Sequence, residues 1–178
     1  MIVIVMGVSG AGKSTIGQML ASKLNWEFFD ADDFHPPANI EKMRQGIPLT
    51  DADRMPWLLT LQEAIASLLQ QDRNAVLACS ALKSSYREIM LHNCDRSPIR
   101  LVYLKGSFQL IQQRLKQRQN HYMSQNLLQS QFDTLEEPED AICVDISQPM
   151  DAIVQQIYRL LMANGLWLMA NRTKFLVQ

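Results

Sequence analysis

The residues best placed to do chemistry begin with "GVSGAGKST", Gly7 to Thr15, where Gly7 is followed after four residues by Gly12-Lys13-Ser14. That spacing is a phosphate-binding loop. Glycines let the backbone of Gly7, Val8, Ser9, Gly10, Ala11, Gly12, Lys13, Ser14 and Thr15 wrap an anion with its N–H groups inward. The Lys13 ammonium then reaches the terminal phosphates, and the Ser14 hydroxyl holds Mg²⁺. A Gly/Ser-rich turn that binds nothing is the alternative, and the flanks argue against it. "MIVIVM" before the loop is an unbroken apolar run, as in a strand buried on both faces. After it, Ile16, Met19, Leu20 and Leu24 recur at helical spacing, so a helix starts near Lys13 with its N-terminus toward the phosphates. The pattern implies a site for a nucleoside triphosphate with Mg²⁺.

Acidic and basic residues follow later apolar runs. "DADDFHP" puts Asp30, Asp32 and Asp33 in one short loop, where they repel one another unless a cation or a donor neutralises them. Asp30 could complete the Mg²⁺ shell, and Asp32, further out, could accept the proton of an attacking hydroxyl. A solvated turn capping the next helix is the plainer reading. His35 is either a substrate hydrogen-bond donor or a structural histidine. "TDADRMPW" supplies Arg54, a bidentate clamp for a carboxylate or a local partner of Asp51. "CSALKSSYRE" supplies Lys83 and Arg87, one helical turn apart and expected on one face. Such cations suit an anionic acceptor, unless they are ordinary exposed charges at a helix start. Arg114, Lys116 and Arg118 lead into the polar segment "QNHYMSQNLL", read as a lid over about 117–128, whose arginines could neutralise charge during phosphoryl transfer. A solvated helix face is the alternative there. Asp145 in "AICVD" ranks below Asp30 as a metal residue.

Elements must hold these residues in place. Apolar runs at 1–6, 26–29, 75–79, 99–104 and 141–146 read as strands, separated by helical patterns at 38–45, 57–69, 107–118 and around 153–161. The pattern at 57–69 has Pro56 at its first turn and Asp51 or Asp53 as its cap. Alternation of this kind predicts βαβ units in a doubly wound parallel sheet of about five strands, with ligands beyond the strands' carboxyl ends. A chain of 178 residues makes one domain. With 47% apolar residues, 20% charged residues and a net charge of −1, no basic stripe points to nucleic acid. The apolar stretch "LLMANGLWLMA" is too short to span a membrane. Cys79, Cys94 and Cys143 are scattered, as reduced thiols in a cytosolic protein would be.

Together these stretches resemble the gluconate kinase family, small P-loop carbohydrate kinases. The similarity runs from Ile2 to about Ala163. It rests on the phosphate loop joined to "DADDFHP", "PLTDADRMPWL", "CSALK" and "SQFDTLEEP". It implies a P-loop NTPase fold and transfer of the ATP γ-phosphate to the 6-hydroxyl of D-gluconate. It also implies a cytosolic homodimer serving gluconate use. Asp32 would be the base, and Asp30 would lie near Mg²⁺. Lys13, Arg114 and Arg118 would steady the transferred charge, while His35, Arg54, Lys83 and Arg87 would read the acid. Shikimate, another sugar acid or a nucleotide is the rival acceptor, and a non-catalytic ATP sensor the rival class. Asn120 and Tyr122 depart from the lid pattern usual in that family. The tail, about 165–178, extends past its usual end.

Overall fold

A computed structural model describes residues 1–117 and 125–163. The central strand β1 (Ile2–Met6) is buried along its whole length. Its residues serve both faces: Val3 and Val5 enter one core, and Ile2, Ile4 and Met6 enter the other. This is why the run shows no polar alternation. Around it lie β2 (Glu27–Asp30), β3 (Ala75–Ala78), β4 (Ile99–Lys105) and β5 (Ile142–Asp145), in the order β2-β3-β1-β4-β5. Every pairing is parallel, for example Val3 against Val76 and against Arg100. The expected α/β sheet of five strands is therefore observed. Its edges are the short strands β2 and β5, with β5 leaving Cys143 exposed.

Helices cover both faces. On the Val3/Val5 side, α1 (Lys13–Leu24), α5 (Phe108–Gln117), α6 (Gln125–Thr134) and α7 (Met150–Ala163) contribute Ile16, Leu20, Ile111, Leu115, Leu128, Ile153 and Ile157 to the core. On the Ile2/Ile4 side, α3 (Asp51–Gln70) and α4 (Ser84–Met90) contribute Trp57, Leu58, Leu61, Ile65, Tyr86 and Met90. The short α2 (Pro37–Arg44) precedes α3, and Gly46 follows it at φ 72°. Residues Ala31–Phe34 form a 3₁₀ turn after β2.

The start of α3 differs from the expectation. The helix begins at Asp51, so Pro56 lies inside it rather than in its first turn. Thr50 is the cap: its Oγ1 accepts from the Asp53 N–H (3.2 Å), and Asp53 Oδ2 accepts from the Thr50 N–H (2.9 Å). This reciprocal box supplies the helix start that Asp51, Asp53 and Arg54 hide from a hydrophobic-period reading. Lys42 Nζ donates to Asp53 Oδ1 at 2.7 Å, and Asn39 Nδ2 to the Asp53 carbonyl at 2.8 Å. Both bonds tie α2 to the first turn of α3.

Of the segment read as a lid, about 117–128, residues 125–128 form the first turn of α6. Arg118, Asn120 and Tyr122 fall outside the described residues, as does the tail from 164.

Candidate active site

The loop from Gly7 to Gly12 leaves the carboxyl end of β1 and feeds directly into α1. Gly12 sits at φ 95° at the helix N-cap, a left-handed conformation that only glycine adopts without strain. Gly10, at φ 85°, lies so close to α5 that a Cβ there would stand 3.0 Å from Leu115 Cγ and 3.1 Å from Ile111 Cγ2. The loop is therefore clamped from outside by buried apolar side chains. Its polar groups find oxygens: Lys13 Nζ donates to the Val8 carbonyl at 3.2 Å, and the Ser9 N–H to Gln131 Oε1 at 2.7 Å.

The acidic loop divides its labour. Asp30, at the end of β2, accepts the Ser14 hydroxyl on Oδ2 at 2.5 Å and the Asp32 N–H on Oδ1 at 3.1 Å. The second bond caps the 3₁₀ turn and leaves the Asp32 carboxylate exposed. Lys13, Asp30 and Asp32 all act electrostatically on the Cys79 thiol just past β3, which places the three at one end of the sheet. Burial pushes that thiol up to about 12, so Cys79 is inert as a nucleophile.

His35 is buried and stacked on Trp57, ring centroids 4.4 Å apart and planes 12° from parallel. Trp57 Nε1 donates to the Ala31 carbonyl at 2.7 Å, which fixes the indole under the acidic loop. Asn39 Nδ2 approaches His35 Nδ1 at 3.4 Å. An amide donor at Nδ1 leaves the ring proton on Nε2. Burial above all lowers the His35 pKa; Asp32 opposes the shift and Arg54 adds to it. The ring is thus neutral at neutral pH. The unfolded chain binds the proton more readily, so the contribution of this site to stability falls as pH drops through the ordinary histidine range.

Arg54 does not pair with Asp51 as one reading of the sequence had it. Its Nη1 donates to the Leu49 carbonyl at 2.6 Å and to Tyr86 Oη at 3.3 Å, with the guanidinium over the Tyr86 ring. Asp51 instead accepts from Tyr86 Oη at 2.5 Å and from Lys83 Nζ at 2.9 Å on both oxygens. The Tyr86 hydroxyl foremost, then Lys83, hold the Asp51 carboxyl below its ordinary value. Arg54, Tyr86, Asp51 and Lys83 form one connected group, and the charge of Arg54 also acts on His35.

Lys83 and Arg87 do not share a face. Lys83 is the residue before α4 and turns to Asp51. Arg87 Nη1 turns to the carbonyls of Ala81 (2.9 Å), Leu82 (3.2 Å) and Glu136 (3.1 Å). The Arg87 guanidinium holds Ala81, a residue strained at φ 44°, in the loop after β3. Arg114 likewise turns to a carbonyl, that of Ile146, at 2.5 Å. Asp145 commits its two oxygens to the N–H and hydroxyl of Ser147.

These residues fit Mg²⁺ and a nucleoside triphosphate. The Ser14 hydroxyl and Asp30 carboxylate are hard oxygen donors held against each other beside Lys13. Among the described residues no group of three or more His, Cys, Asp or Glu forms a metal cage. A Mg²⁺ site needs none, because the ion takes one or two protein oxygens and fills its shell with water and phosphate. Sequence reasoning placed Trp57 only on the apolar face of its helix and gave no site role to it, Tyr86, Gln131, Glu136 or Asn39. For Gln131 and Glu136 a signal existed in "SQFDTLEEP", without a partner to attach it to.

Known proteins resemble the chain over most of its length. The shikimate kinase family model matches residues 9–161. The thermoresistant gluconokinase of Escherichia coli is 41% identical over 157 residues, covering 86% of this chain and 89% of that one. The gluconokinase of Gluconobacter oxydans is 43% identical over 159 residues, 88% of each chain. The crystal structure of a gluconokinase from Sinorhizobium meliloti superposes with a TM-score of 0.78 at 39% identity, covering 99% of this chain and 97% of that one. A phosphate loop on a five-stranded parallel sheet, matched over most of its length in this way, identifies the chain as a member of the gluconokinase family of P-loop kinases, within the group that the shikimate kinase model describes.

Proposed function

We propose that the protein is a gluconokinase, moving the γ-phosphoryl group of ATP to the 6-hydroxyl of D-gluconate. The observation that carries this reading is the meeting, at one end of the sheet, of Lys13 and Asp30 with Asp32, His35 and Arg54 in a chain of this family. Mg²⁺ would supply charge neutralisation on the phosphates, held through Ser14 and Asp30. The loop N–H groups and Lys13 bind the β- and γ-phosphates. Asp32 orients the sugar hydroxyl and takes its proton. The exposed Asp32 carboxylate supports that role, being free of the capping contacts that occupy Asp30. Neutral His35 donates from Nε2, and Arg54 and Lys83 face the acid, backed by Tyr86 and Asp51. Arg87 reads the acid with them, and its bonds to the Ala81 and Leu82 carbonyls shape the loop after β3. Arg114 and Arg118 add positive charge from the lid side. Phosphoryl transfer asks a protein for little beyond such positioning and charge.

The assembly we propose is a homodimer in the cytosol, placed where gluconate enters the pentose phosphate pathway. Exposed Ile40, Met43, Ile47, Met55 and Leu59 on and between α2 and α3 support an apolar contact surface. No helix among the described residues is long and apolar enough to cross a membrane. An ADP-release assay with Mg²⁺·ATP and a panel of gluconate, glucose, shikimate, glycerate and AMP tests the acceptor. Turnover on gluconate is expected; turnover on shikimate or AMP in its place would reassign it.

A further inference from the structure

His35 and Asn39 are both buried, four residues apart, and they lie against each other. Pro36 and Pro37 between them fix the chain's entry into α2, and with it the spacing of the pair. The Asn39 amide is not free to turn over. Its nitrogen donates to the Asp53 carbonyl at 2.8 Å, and a carbonyl can only accept. The same nitrogen stands 3.4 Å from His35 Nδ1. With one hydrogen committed to Asp53, the second is left for the ring, and Nδ1 meets it with a lone pair. Asp53 is itself held, by its box with Thr50 and by Lys42. Stacking on Trp57 fixes the plane of the ring. Nε2 has no partner in the structure. No buried side-chain nitrogen among the described residues is left without one, so Nε2 opens to solvent. The charged groups that act on the ring are Asp32 of the 3₁₀ turn and Arg54 of α3, while α2 brings it the uncharged Asn39.

We propose that Asn39 is a positioning residue: it holds the His35 ring proton on Nε2, so that the open nitrogen always meets the acceptor as a donor. Recognition of the acceptor rests here on the gluconokinase reading, whereas the placement of the proton does not. An asparagine that only tied α2 to α3 would make the same bond to Asp53 and have no bearing on the ring. Asn39→Asp separates the two roles. A carboxylate of the same size only accepts, so it draws the ring proton to Nδ1 and leaves Nε2 bare. Its charge also raises the pH at which the ring takes up a second proton. Below that pH both nitrogens carry protons, and the donor at Nε2 returns.

Long-range proton–nitrogen correlation spectra tell a protonated imidazole nitrogen from a bare one. The chain has three histidines, and the signals lost in His35→Gln assign this one. In the wild type the proton is expected on Nε2. In Asn39→Asp it is expected on Nδ1, with the second proton taken up at least about one pH unit higher than in the wild type. The KM for gluconate of Asn39→Asp should exceed that of the wild type by about 3- to 10-fold at about pH 8.5, the equivalent of one ordinary hydrogen bond. That ratio should close as pH falls through the raised ring value, with the KM for ATP unmoved. A wild-type proton on Nδ1, or an Asn39→Asp proton still on Nε2, would overturn the proposal. A KM ratio that ignores pH would overturn it in favour of a plain tie between helices. Should Asn39→Asp not fold, Asn39→Ala decides: its ring, having lost the donor that favours a bare Nδ1, should titrate above the wild type. Titration at the wild-type pH would overturn the lock. A proton placed as expected without turnover on gluconate supports the lock and costs only the acceptor reading.

Discussion

Lys13 bends back to the Val8 carbonyl, and Ser14 leans on Asp30, so the groups that read most plainly in the sequence are also the ones the fold holds closest together. Their spacing was legible because a phosphate loop is a local device: nine consecutive residues carry the glycines, the cation and the hydroxyl. Lys13→Met keeps the length of the side chain and removes its charge. Turnover should fall by about 10²- to 10³-fold, the usual loss of one donor to developing charge, while the melting temperature stays within a few degrees. Steady-state kinetics beside a thermal melt checks this, and near-normal turnover would remove Lys13 from the mechanism. Arg87 shows where legibility ends at this scale. Its residue type suggests an acid-binding cation, and the sequence does not reveal that its Nη1 also donates to carbonyls, one of them at Glu136, 49 residues away. Gln131 meets Ser9 across a still longer separation, and no local pattern encodes that contact. A local pairing of Arg54 with Asp51 was one of two readings of that stretch, and Tyr86, 32 and 35 residues distant, comes between them.

Among the elements, strand burial was the clearest signal and helix starts the weakest. β1 packs apolar side chains into two cores, so its run could hardly be a loop. The start of α3 was placed too late, with Pro56 in the first turn, because periodicity begins at Trp57 and the preceding turn is held by polar bonds. The Thr50–Asp53 box was there to read, with Asp where the usual pattern has Glu. Thr50→Ala should cost about 1 kcal/mol and lower the melting temperature by about 2–4 °C in a chain of this size. Asp53 adds a pH dependence. Its hydrogen bond from Lys42, then those from Thr50, lower its carboxyl to about 2. A carboxyl depressed in the folded state stabilises above its unfolded value and loses that contribution as pH falls through the folded one. The gap in melting temperature between wild type and Asp53→Asn should therefore be full at pH 5 and close as pH approaches 2. A gap that stays constant would contradict the box.

Over the whole molecule, the order β2-β3-β1-β4-β5 puts the phosphate loop at the centre, with the acidic loop, the Lys83 loop and the 128–137 run converging on it from either side. The fold class and the parallel pairing both followed from strand–helix alternation. How Asp51, Tyr86 and Lys83 come together did not follow, since α3 and α4 pack through residues far apart in sequence. In solution, light scattering should give twice the chain mass if the apolar surface on α2 and α3 joins two copies; the mass of one chain would contradict the dimer. The central claim is phosphoryl transfer to one hydroxyl of one acid. The acceptor panel tests it most directly when each reaction is also read by phosphorus NMR. The account predicts ADP release with gluconate alone and a new phosphomonoester on its primary carbon, absent with Lys13→Met. Free phosphate as the only product, or a monoester on shikimate or AMP in place of gluconate, would contradict it.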